Sequence, residues 1–127
     1  MTLETATLES TLNDLRDKLA GIVPDAELSY KAELAHHINQ LKTDRGAVIL
    51  GHNYMEPALF HSVCDHTGDS LELSRIAATT NADPIVFCGV RFMAETAKIL
   101  NPDRTVLLPS QRAGCSLAAS ISAADVR

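Results

Sequence analysis

The sequence predicts an α/β protein: a three-layer α/β/α domain with a short parallel sheet, preceded by an N-terminal helical arm. Two observations carry this. Residues 47–50 (AVIL), 85–89 (IVFCG) and 105–109 (TVLLP) are short apolar runs with the length and β-branched content of strands buried on both faces. Segments of helical periodicity separate them, and strand–helix alternation of this kind produces a parallel sheet covered by helices.

Residues 1–45 read as the arm. Leu8, Leu12, Leu15 and Leu19 recur at i, i+4, i+7 and i+11, one stripe of an amphipathic helix that Gly21 and Pro24 end. Leu34, Ile38 and Leu41 carry a second stripe up to the turn signal Thr43-Asp44-Arg45-Gly46. Residues 46–127 form the α/β domain. Its first strand ends at Gly51-His52-Asn53-Tyr54. The next helix keeps Leu73, Ile76, Ala77 and Thr80 on one face, with Asp69 as its N-cap. A further helix is read with Phe92, Thr96, Ile99 and Leu100 inward and Glu95 paired to Lys98 at the surface, and Asn101-Pro102 stops it. All strands being parallel, the loops at 51–57, 89–92 and 109–116 converge on one edge of the sheet, where such folds bind ligands.

A chain of 127 residues is long enough for one domain with a core, and its formal charge of −5 argues against nucleic-acid or anionic-membrane binding. No apolar run approaches the roughly 18 residues of a membrane span. The N-terminus has neither a basic leader nor an apolar signal core, so a cytoplasmic setting is expected. Three cysteines at irregular spacing are not a disulfide framework.

On the converging edge, His52 is placed to donate to a carboxylate or to exchange protons near neutral pH. Tyr54 points to the same side if the chain stays extended, and otherwise is a half-buried ring with a surface hydroxyl. Ser70 opens a helix whose free N–H groups suit an anion, although plain capping by Asp69-Ser70 is the simpler account. His61, Asp65 and His66 have the helical spacing of a zinc site without any established zinc motif, and a solvated polar face is the simpler account. Of the cysteines, Cys115 alone lies on the edge. Cys64, in a helical segment, and Cys88, inside a strand, read as small buried hydrophobes.

Taken together, AVILGHNY (47–54), GDSLELSR (68–75), ADPIVFCGVRFMAETAKILNP (82–102) and TVLLPSQRAGCSLA (105–118) resemble the quinolinate synthase family, over residues 31–126. Met55 stands where members often carry Gln. The resemblance implies three similar α/β domains around one active site, each giving a cysteine to a [4Fe–4S] cluster that acts as a Lewis acid. It implies condensation of iminoaspartate, supplied by L-aspartate oxidase, with dihydroxyacetone phosphate to give quinolinate for NAD biosynthesis. It makes Cys115 a cluster ligand, His52 and Ser70 dicarboxylate-binding groups, and Tyr54 a proton-transfer or positioning group. These residues cover the first such domain only, so the chain by itself is expected neither to retain the cluster nor to turn over. Two other readings stay open: a non-catalytic remnant or interaction domain, and a zinc hydrolase using His52, His61, Asp65 and His66.

Overall fold

Leu8–Leu19 and Asp25–Arg45 form the first two helices, α1 and α2, of the computed structural model, which describes residues 7–127. Thr7 caps α1 by accepting from the Ser10 N–H, and the first six residues of the expected arm lie outside the described residues. Gly46 ends α2 in the left-handed region (φ 62°), where a residue without Cβ is least strained. The Ala47 N–H then closes the turn on the Lys42 carbonyl.

Next come β1 (Val48–His52), α3 (Pro57–Ser62), β2 (His66–Gly68) and α4 (Ser70–Thr79). They are followed by β3 (Ile85–Cys88), α5 (Arg91–Leu100), β4 (Val106–Leu107), a 3₁₀ turn at Ala118–Ser120 and α6 (Ala123–Val126). Among the described residues the strands form one parallel sheet in the order β2-β1-β3-β4. Every residue of β1 is buried, as a central strand requires.

Both sheet faces are covered, giving the expected three layers. On one face Ile49 and Cys88 share a core with Leu15 and Leu19 of α1, Leu28, Ala32 and Ala35 of α2, and Ala58 of α3. On the other, Leu50, Ile85 and Phe87 pack against Leu73 and Ala77 of α4 and Met93, Ala94 and Ala97 of α5. The two arm helices thus complete the core of the sheet they precede.

Several expectations need correction. The strand expected over 105–109 pairs only at Val106 and Leu107 and is partly exposed, because it lies at the sheet's edge. A strand not foreseen, β2, forms from the polar triplet His66-Thr67-Gly68, whose pairing with β1 needs no apolar run. Cys64 sits in the turn after α3, not within a helix. Two helical faces are reversed. Phe92, Thr96, Ile99 and Leu100 face outward on α5, whose inner face is Met93, Ala94 and Ala97. On α2 the inner face is Leu28, Ala32 and Ala35, while Leu34, Ile38 and Leu41 are exposed. In both, the small residues let the helix lie close to its neighbours, and larger side chains at those positions would hold it off. Finally, Glu95 pairs with Arg91 instead of Lys98, whose ammonium donates to the carbonyls of Pro102 and Arg104.

Candidate functional site

The carboxyl ends of the parallel strands bring the candidate residues to one edge. His52 is the last residue of β1 and opposes Gly68, the last of β2. The Asn53 N–H continues that pairing onto the Gly68 carbonyl at 3.0 Å. The chain then turns sharply, with the Met55 N–H donating to the His52 carbonyl at 3.0 Å and the Met55 side chain packing on the core.

Inside this turn the Tyr54 N–H donates to His52 Nδ1 at 3.2 Å. An accepting Nδ1 leaves the ring proton on Nε2, so a neutral His52 has its donor free. His52 is only 5% exposed, whereas Tyr54 is 88% exposed, and their rings lie 4.7 Å apart at 55°. The histidine is therefore fixed and the tyrosine projects outward from it. Neither geometry expected for Tyr54 holds: the chain turns at Asn53-Tyr54 instead of staying extended, and the ring is exposed instead of half-buried.

Ser70 is the first residue of α4, two positions beyond the residue that opposes His52. Asp69 takes the capping role, accepting from the Glu72 N–H at 2.8 Å, as expected. The half-buried Ser70 is therefore free of that task, and its carbonyl accepts from the Ser74 hydroxyl at 2.7 Å.

Cys115 lies in the loop that follows β4 and is a partly buried free thiol. Its loop is tied to the start of α5 by the Arg91 N–H donating to the Ala113 carbonyl at 2.8 Å, so the loops at 89–92 and 109–116 do meet. His52 and Tyr54 are in contact, and Ser70 leaves the neighbouring strand. Cys115 belongs to the loop after β4, a strand that is not adjacent to β1.

Of the other two thiols, Cys88 is buried in the core as expected, whereas Cys64, also expected to be buried, is only partly so and packs against that core. Burial pushes Cys64 up to about 12, with the nearby Cys88 adding to it, and burial likewise raises Cys88. The Cys64 sulfur donates to the Leu59 carbonyl at 3.5 Å and occupies the space above Gly51, where an added Cβ would meet it at 2.3 Å. Neither thiol is disposed to be a thiolate ligand.

The residues considered for zinc are not assembled. His61, on α3, stands edge-on to the Phe60 ring, while His66 is exposed on β2. Asp65 is committed elsewhere: one oxygen pairs with Lys42 at 2.9 Å and the other accepts from the Ile49 N–H at 2.8 Å. Among the described residues no group of three His, Cys, Asp or Glu side chains is placed to hold a metal ion, and no helix is long and apolar enough to cross a membrane.

Sequence reasoning missed the pairing of Lys31 with Glu56, an ion pair between α2 and the loop after β1. Their separation of 25 residues leaves no local signal in the sequence.

Residues 36–127 match the family described as quinolinate synthetase A protein. The chain is 53% identical over 113 residues to a quinolinate synthase of Sinorhizobium medicae, covering 89% of this chain and 32% of that protein. It is 55% identical over 113 residues to quinolinate synthase 1 of Mesorhizobium japonicum, covering 89% and 35%. With a quinolinate synthase of Mycolicibacterium paratuberculosis it shares 50% identity over 126 residues, covering 95% and 36%. The chain spans about a third of the length of the curated relatives it matches.

Proposed function

The chain belongs to the quinolinate synthetase A family, and from that premise we propose that it supplies the first α/β domain (residues 46–127) of a cytoplasmic quinolinate synthase. The reaction joins iminoaspartate to dihydroxyacetone phosphate, with L-aspartate oxidase as the source of the imine. The single observation that carries the reading is the His52–Tyr54 pair: a buried histidine with its Nδ1 occupied, beneath an exposed phenol, at the carboxyl end of the central strand.

Each side chain has a task that follows from its geometry. His52 Nε2–H is a donor held in one orientation, suited to a carboxylate of the four-carbon substrate. Ser70 adds a hydroxyl donor at the start of α4, where the helix's partial positive charge favours an anion. The Tyr54 hydroxyl reaches beyond both and serves to pass or orient a proton at the substrate. A fixed donor set of this kind lowers the entropy lost on binding and orients the reacting carbon.

Cys115 fits the role of one thiolate ligand to a [4Fe–4S] cluster: it is free, not fully buried, and in the loop tied to the start of α5 through Ala113. When bound, the cluster supplies a Lewis acid. A single thiolate does not hold four irons, so the 127-residue chain reconstituted with iron and sulfide is expected to lack the cluster's visible absorption.

The reading is tested by grafting residues 36–127 into the S. medicae relative in place of its matching segment and measuring quinolinate formation. The unaltered graft is expected to form quinolinate. The His52→Ala graft should lose about a hundredfold or more in rate, in line with removal of a positioned proton-bearing group, and the Cys115→Ser graft should lose the cluster. An inactive unaltered graft, or a fully active His52→Ala graft, would overturn the proposal.

A further inference from the structure

The connection between β1 and β2 is held to α2 by side chains on one face of that helix. Asn39 Nδ2 donates to the Ser62 carbonyl at 3.2 Å, and Lys42 Nζ donates to the Val63 carbonyl at 3.0 Å and pairs with Asp65 at 2.9 Å. These contacts grip the far end of α3. The third side chain of the set, Lys31, grips its near end by pairing with Glu56, two residues after Tyr54 and four after His52.

Glu56 occupies the N-cap position of α3 yet makes no capping hydrogen bond there. The Lys31 side chain is 25% exposed, against 52% for Glu56. The lysine stem lies in the groove between α2 and α3 with Leu34, Ala35 and Ile38. The ammonium is thus the anchored partner, and the carboxylate on the loop is the one being held.

We propose that Lys31 is a positioning residue for the His52–Tyr54 edge, acting through Glu56. The proposal rests on reading that edge as the seat of a dicarboxylate. Lys31 lies outside residues 36–127, which match the family, so the arm would serve the site as well as complete the core. Two effects follow from the pairing. It fixes the end of the turn in which Tyr54 N–H meets His52 Nδ1. It also neutralises a carboxylate four residues after His52, close in the chain to the edge read as the seat of a dianion.

The test is nitrogen-15 NMR of the 127-residue chain with Lys31→Met, which keeps the stem and removes the charge, and Glu56→Gln, which removes the pair from the exposed loop side. In both variants the Tyr54 amide is expected to exchange with solvent about fivefold faster, as a local opening. The His52 ring nitrogens should shift, and the amides of β3 and α4 should stay unchanged. Lys31→Arg should retain the wild-type behaviour.

Unchanged Tyr54 exchange and His52 shifts in both variants would overturn the proposal. So would a uniform acceleration across all amides, which reports general destabilisation only. A second arm titrates succinate: it should shift His52 and Ser70 in the wild type, with affinity about threefold weaker in Lys31→Met, the scale of one partly screened charge pair. If succinate does not perturb the wild type, the dicarboxylate reading fails while Tyr54 exchange still decides the role of Lys31.

Discussion

His52 ends β1, Cys115 lies in the loop after the non-adjacent β4, and the two are held in opposite ways. His52 closes a fully buried strand paired on both sides, with its ring buried and hydrogen-bonded from Tyr54. Cys115 lies in a stretch, residues 109–127, that contains no buried residue and meets the sheet domain through the bond from Arg91 N–H to Ala113. The difference teaches that the two halves of the candidate site draw their positions from different sources. The histidine side is set by packing within the sheet, and the cysteine side by backbone bonds in a loop. Truncations should therefore be felt unequally.

The largest effect is expected in the core that carries β1. Phe87, fully buried against α4 and α5, should cost about 3–5 kcal/mol on truncation to alanine, the range for a large aromatic leaving a cavity. Leu117→Ala, in the exposed stretch, should stay within about 0.5 kcal/mol. Urea unfolding of both variants measures the contrast, and similar losses at the two positions would erase it.

A smaller and more specific effect belongs to Gly51. Its missing side chain is required by the Cys64 sulfur, 2.3 Å from where a Cβ would stand, and by the Cys64 Cβ at 3.2 Å. Gly51→Ala is expected to destabilise by about 1–3 kcal/mol, as overpacking does. Adding Cys64→Ala should return much of the loss, which a double-mutant cycle reads directly. A cycle with no coupling would mean that the sulfur is not the obstacle.

The same division marks what the sequence made legible. The apolar runs at 47–50 and 85–89 announced the central strands, and Asp69 and Asn101-Pro102 announced the ends of helices, because these signals are local. The position of His52 at a strand's end followed from the same pattern. What stayed hidden was settled by contacts far along the chain. β2 is made by pairing with β1, not by its own residues. The inner faces of α2 and α5 are lined by Ala32, Ala35, Ala94 and Ala97, chosen for closeness of approach, while the larger Leu34, Ile38 and Ile99 that dominate an apolar count point outward. The motifs around Cys115 were legible as family resemblance, yet no periodicity in residues 109–127 indicates how that loop is held.

The smallest expected effect separates the three thiols, and it sharpens the comparison without perturbing the fold. Burial raises Cys64 from 9.0 to about 12, so the folded chain keeps its proton where the unfolded chain gives it up. The stability this contributes is whole below about pH 9 and declines as pH rises toward 12, because ionisation then favours the unfolded state. Unfolding followed across that window should show an alkaline decline that Cys64→Ala lessens, the remainder belonging to the likewise buried Cys88. A colorimetric thiol reagent near pH 8 should accordingly modify one cysteine quickly in the native chain and the other two only in denaturant. Rapid modification of all three would place Cys64 and Cys88 outside the core, and with them the claim that the His52 side is the packed one. Rapid loss of one thiol alone, absent in Cys115→Ser, ties the reactive position to the loop after β4, as the ligand role proposed for Cys115 requires.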